Sequence, residues 1–281
     1  MNNRSVTNQL KESPYIAIVN ICVDALSLEQ SVEQIMTWAK QNQSRSVCVA
    51  NVHMLMEAHW HPTFKRTLNS SNLITPDGMP LVWMMRLLGA HAQERVAGMD
   101  LFKALCHKAQ EQHVGIFCLG SQAPIVAKMH QRLRDEYPGL EIAGMEPLPF
   151  RPLTPSEDRQ IINQINDSKA GILFISLGCP KQEKWIVQHR HQINATMIGL
   201  GGVFPVYAGL QKRAPQRIRN LGLEWAYRLY QEPRRLWHRY ATTIPPFIWL
   251  ATRQLVGTKL SSVTHSNVIN GVSNRSYRTP D

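Results

Sequence analysis

The stretch that decides the fold is "AGILFISLGCPKQEKW", residues 170–185. Its first half is an uninterrupted apolar, β-branched run that ends at Gly178, and its second half begins a helix with Pro180 in the first turn. A strand that is apolar on both faces is typical of a parallel sheet covered by helices on both sides. The stretch therefore predicts one strand–loop–helix unit of an α/β fold.

The same alternation of strands and helices extends over the first two-thirds of the sequence. Strand-like runs are "YIAIVNICVDAL", "SVCVAN", "NLITPD", "VGIFCLG", "LEIAG" and "ATMIGLG". Capping boxes at Ser27 with Gln30 and at Thr154 with Glu157 predict the starts of two of the intervening helices. We therefore expect residues 15–210 to form a Rossmann-like α/β domain, a largely parallel sheet with helices on both faces.

The C-terminal quarter has a different character. From Gln211 on, the sequence carries twelve Lys and Arg and three Asp and Glu, a net charge of +9, so the first 210 residues carry only +2 of the total +11. The composition predicts a basic, helical, amphipathic appendage over residues 211–257. We expect two helices around Glu232–Pro233 and then a short apolar segment, "IPPFIWLATRQLV". Residues 1–14 are expected to be a flexible N-terminus, and the polar residues 258–281 a disordered tail.

Composition excludes several classes of protein. The five cysteines are scattered without a C-x-x-C pair, which favours a reducing, cytoplasmic location and argues against a disulfide framework. The polar N-terminus lacks the apolar core of a signal peptide, and no apolar run approaches the ~18 residues of a spanning helix. We expect a cytoplasmic protein without a transmembrane segment.

Five predicted strand ends are the places to look for a ligand, because ligands of such sheets bind outside the carboxyl ends of the strands. They are Ala50–Asn51, Pro76–Asp77–Gly78, Leu119–Gly120–Ser121, the segment from Leu177 to Glu183, and Gly199 to Gly202. We expect them to converge on one edge of the sheet. Their glycines suggest backbone N–H groups that hold a diphosphate, although glycines at strand ends also have a purely structural explanation. Similarly, Asp77 is either a helix cap or a catalytic carboxylate, and "GCPKQE" is either a ligand-binding turn or a plain helix start.

A metal site and a covalent nucleophile find little support. The "HRH" at residues 189–191 predicts surface histidines, since positions i and i+2 do not share a helix face. The sequence has no D-x-D for a divalent ion, no G-x-S-x-G, no G-x-G-x-x-G and no P-loop motif. We expect neither a metal nor a cofactor.

The appendage predicts a partner with phosphates. Its arginines alternate with Trp and Tyr, which suits a membrane interface and also nucleic acid. The adjoining "PPFIWL" favours an anionic lipid surface.

These motifs, taken in order, resemble a known family. "ITPDGMPLVW", "RVAGMDLF", "LGSQAPIVAKM", "LGCPKQEKWI" and "GLGGVFPVYAGLQKRAPQRIRNLGLEWAYRLYQEPRRLWHRY" are similar to segments of the WecG/TagA/CpsF glycosyltransferases, over roughly residues 16–240. The resemblance implies a metal-independent, inverting enzyme. Such an enzyme transfers N-acetylmannosamine, or glucose or glucuronic acid, from a UDP-sugar to a polyprenyl-diphosphate-linked sugar during synthesis of bacterial surface polysaccharide or teichoic acid. It also implies a peripheral position on the inner face of the plasma membrane.

The resemblance also implies roles for individual residues. Asp77 matches the general base, and Arg95 and Gln182 match other active-site residues. The UDP-sugar is expected to contact Asn51, Gly78, Gly120, Ser121, Gly178, Pro180, Lys181, Gly201 and Gly202. Arg228, Arg234, Arg235 and Arg239 are expected to meet the acceptor diphosphate and the membrane. The family often has a threonine where this sequence has Val49, which removes any hydroxyl role there.

Elementary chemistry agrees with this assignment. An inverting transfer needs one base for the attacking hydroxyl, and positive groups must stabilise the leaving diphosphate. Two other hypotheses remain open on the residues alone, a Rossmann oxidoreductase and a nucleic-acid-binding protein. The sequence also leaves the oligomeric state open, a homo-oligomer included.

Overall fold

The computed structural model describes residues 13–149 and 151–272. Within this part of the chain, six parallel strands form one sheet in the order β4–β3–β8–β7–β5–β6, and β1 and β2 form an antiparallel pair. The strands are β1 (Tyr15–Ile18), β2 (Ile21–Asp24), β3 (Arg45–Ala50), β4 (Leu73–Pro76), β5 (Ile116–Gly120), β6 (Ile142–Glu146), β7 (Ile172–Ser176) and β8 (Thr196–Gly199). The predicted α/β class with a parallel sheet is confirmed.

Helices connect these strands and continue beyond the last one. They are α1 (Leu28–Lys40), α2 (Val52–Trp60), α3 (Pro62–Asn69), α4 (Met79–Leu87), α5 (Gly98–Glu111), α6 (Ala123–Glu136), α7 (Pro155–Asp167), α8 (Lys181–His189), α9 (Val203–Tyr207), α10 (Gln216–Asn220), α11 (Glu224–Gln231) and α12 (Pro233–Val272). Both predicted capping boxes are present, at Ser27 of α1 and at Thr154 of α7. The two helix starts are therefore where the sequence predicts them.

Strand β7 is buried by helices on both faces of the sheet. Its residues Ile172 and Phe174 belong to a core cluster that includes residues of α1, α5 and α6. The alternate residues Leu173 and Ile175 belong to a second cluster with residues of α7 and α8. Because successive side chains of a strand point to opposite faces, a strand buried on both faces reads as one continuous apolar run.

The N-terminal segment differs from the expected single strand. It is a hairpin, β1–β2, whose turn residues Val19 and Asn20 have positive φ angles of 49° and 64°. The hairpin packs beside β4, where the buried Asp24 carboxylate accepts a hydrogen bond from the Ile74 backbone N–H at 2.7 Å. Asp24 thus satisfies a donor on the edge strand of the main sheet. Residues 1–12 of the predicted flexible N-terminus lie outside the described residues.

The C-terminal region also differs in detail. Helices α10 and α11 precede one long helix, α12, which runs through Pro245 and Pro246 where the sequence predicts a separate apolar segment. The apolar face of α12 is buried: Phe247 and Ala251 join a third core cluster with residues of α2, α3 and α4. Burial of this face compensates for the backbone hydrogen bonds that the prolines remove.

Further along α12, the Gln254 amide joins the helix to the hairpin. It accepts a hydrogen bond from the Val19 N–H at 3.0 Å and donates one to the Ala17 carbonyl at 2.6 Å. Residues 258–272 continue this helix, where the polar composition predicts disorder. An α-helix forms its backbone hydrogen bonds internally, so a polar sequence can also satisfy its backbone groups in this conformation. The rest of the predicted tail, residues 273–281, lies outside the described residues.

Candidate active site at the carboxyl edge of the sheet

A cavity of about 400 Å³ lies at the carboxyl ends of the strands. Each of the five predicted strand ends contributes to its lining, through Asn51, Asp77, Ser121, Gly178 and Gly201 among others. The predicted convergence of these segments on one edge of the sheet is therefore confirmed. The rest of the lining includes the loop before α5, residues of α2, α5, α6 and α9, the segment after α9, and residues of α11 and α12.

Asp77 follows β4 directly, but it does not cap the helix that begins after it. The N-cap of α4 is Gly78, and no side chain bonds to that helix start. Instead, Asp77 Oδ1 accepts a hydrogen bond from the backbone N–H of Gly98, the first residue of α5, at 3.2 Å. This hydrogen bond links the end of β4 to the start of α5. Asp77 also lines the cavity where a ligand would bind.

The surroundings of Asp77 favour its protonated form. Burial raises the pKa of Asp77 above its ordinary value, and the nearby Glu224 carboxylate raises it further. Arg95, Arg228 and the Gly98 N–H act in the opposite direction without cancelling this effect. A carboxylate with a raised pKa is a stronger base than an ordinary aspartate once it has lost its proton.

Arg95 contacts the C-terminal region through Glu224, a residue that was not predicted from the sequence. Glu224 Oε2 accepts a hydrogen bond from Arg95 Nη1 at 3.1 Å, and Glu224 Oε1 accepts one from Arg228 Nη2 at 2.9 Å. All three residues line the cavity. The spacing of Glu224 and Arg228, i and i+4, was a signal for an ion pair within one helix. No local pattern indicated that Arg95, 129 residues earlier, would join it.

Gln182 has a different environment from the one its position in the first turn of α8 suggests. Its side chain is only 4% exposed, and its Oε1 accepts hydrogen bonds from the N–H groups of Gly178 at 3.2 Å and Gly201 at 3.0 Å. Its Nε2 donates to Oε1 of the fully buried Glu183 at 2.6 Å. Gln182 thus ties the loop after β7 to the loop after β8.

The bonds of Gln182 correct one expectation about the glycine loops. The N–H groups of Gly178 and Gly201 are engaged by Gln182, so in this arrangement they are not free donors for a diphosphate. The described residues Gly78, Gly120, Pro180 and Lys181 do not belong to the cavity lining at all. Ser121 and Gly202 do line it, and a Cβ at Gly202 would lie 3.4 Å from Arg228 Nη1.

Gly120 serves the backbone instead. Its φ of +99° is a conformation that side-chain-bearing residues rarely adopt, and a Cβ there would lie 2.6 Å from the Ser176 carbonyl oxygen. The next residue, Ser121, also has positive φ, 66°, and its N–H donates to the same Ser176 oxygen at 3.0 Å. Gly120 therefore allows the close approach of the β5 and β7 ends, which brings Ser121 to the cavity.

Two further strand-end residues have clear local roles. Asn51 is the N-cap of α2, and its Oδ1 accepts a hydrogen bond from the Met54 N–H at 3.2 Å while the residue lines the cavity. Val49, where a hydroxyl would otherwise stand, also lines the cavity and is nearly buried. The wall beside Asn51 is accordingly apolar.

The C-terminal arginines are divided between the cavity and the surface. Arg228, Arg235 and Arg239 line the cavity, whereas the exposed Arg234 does not. Arg213, which was not predicted from the sequence, also lines the cavity and donates to Asp100 Oδ1 at 2.7 Å. The cavity thus has a strongly positive side formed by residues that follow the sheet in the chain.

His53 was not expected at the site. It lines the cavity, and its buried Nδ1 has no hydrogen-bond partner; the nearest carboxylate oxygen, of Glu57, is 3.9 Å away. Burial and the positive charge of Arg239 lower the pKa of His53 to about 4. The imidazole is therefore neutral at physiological pH and is available to a ligand as a hydrogen-bonding group.

One histidine of the "HRH" segment corrects the prediction of surface positions. His189 is 2% exposed, and its Nε2 lies 2.8 Å from Asp158 Oδ2, because it falls on the inner face of α8. Among the described residues, no group of three or more His, Cys, Asp or Glu is arranged to hold a metal ion. None of the helices in the described ranges is both long and apolar enough to cross a membrane.

Comparison with known proteins relates this site to a family. A sequence model described as "Glycosyl transferase WecG/TagA/CpsF family" matches residues 16–261. A protein of Bacillus spizizenii strain W23 is 34% identical over 213 residues, which are 75% of this chain and 80% of the relative. A protein of Bacillus subtilis strain 168 is 38% identical over 185 residues, 63% and 70% of the two chains. One of Staphylococcus aureus strain MW2 is 28% identical over 224 residues, 79% and 86%. All three relatives are named N-acetylglucosaminyldiphosphoundecaprenol N-acetyl-β-D-mannosaminyltransferase.

Proposed function

Because the chain belongs to the WecG/TagA/CpsF family of glycosyltransferases, we propose that it transfers N-acetylmannosamine from a UDP-sugar to N-acetylglucosamine on a polyprenyl diphosphate. The names of its relatives support both the donated sugar and the acceptor. Glucose and glucuronic acid are the alternative donor sugars. The product would be a lipid-linked disaccharide for teichoic acid or another surface polysaccharide. Family membership replaces the nucleic-acid hypothesis and the oxidoreductase hypothesis, for which the sequence also lacks the G-x-G-x-x-G fingerprint.

One observation carries the proposed mechanism: a carboxylate with a raised pKa, Asp77, lies in the cavity beside two arginines. In the proposed step, Asp77 takes the proton from the acceptor hydroxyl while that oxygen bonds to the anomeric carbon of the donor. The bond from the anomeric carbon to the UDP oxygen breaks on the opposite face, and the configuration inverts. The electron pair of the broken bond leaves with the diphosphate.

The leaving diphosphate needs positive charge, and the cavity supplies it from two sides. Arg95 comes from the α/β body, while Arg228, Arg235 and Arg239 come from α11 and α12. An arginine guanidinium has five N–H donors and matches phosphate oxygens in pairs. We assign these four residues to the diphosphate groups of donor and acceptor, with Ser121, Gly202 and Asn51 contacting the UDP-sugar. Gln182 supports this site by holding its two loops together.

The acceptor lipid requires contact with a membrane, and exposed apolar residues support this. We propose that exposed residues of α4, of the turn after α10 and of α11 and α12 together form a lipid-facing surface; they are Trp83, Leu87, Leu221, Leu223, Tyr230, Trp237 and Trp249. Helix α4 and the turn after α10 are in contact here, since a Cβ at Gly222 would lie 2.9 Å from the Trp83 ring. Large aromatic residues beside arginines suit the headgroup region of an anionic bilayer.

This arrangement supports the division into a body, residues 15–210, and an appendage, residues 211–257, as a functional division. The body would provide the base and the donor site, and the appendage would provide arginines and the lipid contact. We propose that the protein works as a peripheral enzyme on the inner face of the plasma membrane.

A screen of UDP-sugars against a short-chain prenyl-diphosphate N-acetylglucosamine tests the function. We expect transfer from UDP-N-acetylmannosamine, with inversion at the anomeric carbon and the release of UDP. Exclusive use of UDP-glucose or UDP-glucuronic acid would replace the donor sugar but keep the reaction. No transfer from any UDP-sugar, together with thermal stabilisation by NAD and not by UDP, would overturn the proposal.

A further inference from the structure

Glu224 is an acidic residue of the cavity lining that lies between two of its arginines. Its carboxylate is bonded at both oxygens, to Arg95 at 3.1 Å and to Arg228 at 2.9 Å. Its side chain is 18% exposed, and that of Arg95 is 14% exposed. Ion pairs that are partly withdrawn from water are less screened than surface pairs, so this bridge fixes geometry more firmly than an ordinary surface ion pair does.

The bridge joins two parts of the molecule. Arg95 belongs to the loop between α4 and α5, three residues before Gly98, the first residue of α5, whose N–H is bonded to Asp77. Glu224 is the first residue of α11. The pair therefore holds the start of α11 against the segment that also positions the proposed base.

The bridge leaves both arginines able to bind a ligand. Each guanidinium has five N–H donors, and each uses one of them on a Glu224 oxygen. The remaining donors lie in a cavity where a diphosphate is expected. One carboxylate can thus orient two guanidinium groups and still leave most of their N–H donors for a ligand.

The charge of Glu224 also reaches Asp77. The groups that act on Asp77 are Glu224, Arg95, Arg228 and the Gly98 N–H. Burial raises the pKa of Glu224 itself, but Arg228 and Arg95 outweigh burial and hold it below its ordinary value, so Glu224 is ionised at neutral pH. Its negative charge offsets the two arginines, which would otherwise weaken Asp77 as a base.

We propose that Glu224 is a positioning residue that docks α11 on the body through Arg95 and holds the guanidinium groups of Arg95 and Arg228 beside Asp77. This inference rests on the proposed function for its consequence in catalysis. Its structural part, the docking of α11, is independent of the reaction.

Two conservative variants separate the effect of the Glu224 charge from the effect of its side-chain length. Glu224→Gln keeps the length of the side chain and removes the charge. We expect kcat/KM to fall about 10-fold or more, the scale of losing a charged hydrogen bond, and the rising limb of the pH profile to move to lower pH. Glu224→Asp keeps the charge but is too short to reach both arginines, so we expect lower kcat/KM with the limb near its wild-type position. Glu111→Gln, at an exposed ion pair of α5 outside the cavity, is the matched control and should change neither.

A double variant tests whether Glu224 acts through Arg95. In an Arg95→Ala background, Glu224→Asp should cost much less kcat/KM than it does in the wild type, because the bridge is already lost. Equal losses in both backgrounds would overturn the proposal. Wild-type kcat/KM and an unmoved limb in Glu224→Gln would also overturn it.

Hydrogen exchange of the full-length protein without substrate provides the reaction-independent measurement. Faster exchange of the α11 amides in Glu224→Ala than in wild type supports docking, and unchanged exchange contradicts it. An inactive wild type would refute the proposed function while leaving this measurement informative. If the wild type is active and the Glu224 variants match it in kcat/KM, pH profile and hydrogen exchange, only the role of Glu224 is refuted.

Discussion

At the scale of single residues, Asp77 shows how position changes the role of a common side chain. An aspartate between a strand and a helix is ordinarily a candidate N-cap. Here Gly78 begins α4, and Asp77 bonds the first N–H of a different helix, α5. The carboxylate therefore has a structural role, the hydrogen bond to α5, and a proposed catalytic role as general base, and a substitution can separate the two.

The variant Asp77→Asn separates these roles. Asparagine can still accept the bond from Gly98 but cannot take a proton, so we expect transfer to fall about 10²–10⁴-fold while UDP still binds. Steady-state kinetics and UDP titration provide the measurement. If activity survives in Asp77→Asn, Asp77 serves only to bond the first N–H of α5.

The raised pKa of Asp77 predicts a pH dependence of the wild-type enzyme. The base works only when deprotonated, so kcat/KM should rise with pH through a pKa above about 3.9, the ordinary value for aspartate. The same shift lowers stability as the pH rises through that pKa, since the folded state holds the proton more tightly than the unfolded state. Asparagine does not titrate, so the free energy of unfolding of Asp77→Asn minus that of the wild type should be larger at neutral pH than at pH 3. A rising limb at or below the ordinary value would contradict the assignment.

At the scale of elements, the ends of β5, β7 and β8 are held together by backbone contacts that need particular residues. Gly120 allows the β5 end to approach the Ser176 carbonyl, and Gln182 bonds the loops after β7 and β8. The sequence predicts that glycines belong at these strand ends. It does not reveal which of them bind a ligand, because that depends on which N–H groups the neighbouring loop already engages.

The variant Gly120→Ala tests the close approach of β5 to β7. Its φ is +99°, and the added Cβ would lie 2.6 Å from the Ser176 carbonyl oxygen. We expect the free energy of unfolding to fall by roughly 1–3 kcal/mol from strain alone, with the collision adding to it. Gly89→Ala is the matched control, since its φ is +114° but nothing lies within 4 Å of the new Cβ. Equal losses in chemical denaturation would show that the contact with Ser176 has no cost of its own.

At the scale of the whole molecule, the uneven charge of the sequence becomes a spatial division. The nearly neutral first 210 residues build the sheet, while the basic remainder forms α10 to α12 and covers the carboxyl edge. Some of its arginines enter the cavity, and Arg234 stays outside it. This separation makes Arg234 a probe of the proposed membrane binding that leaves the cavity lining intact.

The variant Arg234→Gln should weaken binding to anionic vesicles about 5-fold, since one basic residue near such a surface contributes about 1 kcal/mol. Flotation with vesicles that contain phosphatidylserine measures this, and vesicles of phosphatidylcholine alone should show no difference. Arg66→Gln, an exposed arginine on α3, is the control outside the lipid-facing surface. Activity with a short, water-soluble acceptor should stay at the wild-type level. Equal losses for the two variants would contradict the proposed orientation.

The sequence by itself determined the α/β class, the strand ends that line the candidate site and the basic C-terminal region. These features depend on local patterns: apolar runs, capping residues and the order of charges along the chain. Arg95 was reached only through resemblance to a family, because it does not stand out locally, whereas Gln182 also belongs to a predicted strand-end segment. Only the tertiary structure decided that Glu224 bridges Arg95 and Arg228, that Gln182 occupies the N–H groups of Gly178 and Gly201, and that Asp77 bonds α5. Each of these contacts joins residues from separate elements, and the chemistry of such a contact arises only when folding brings its partners together.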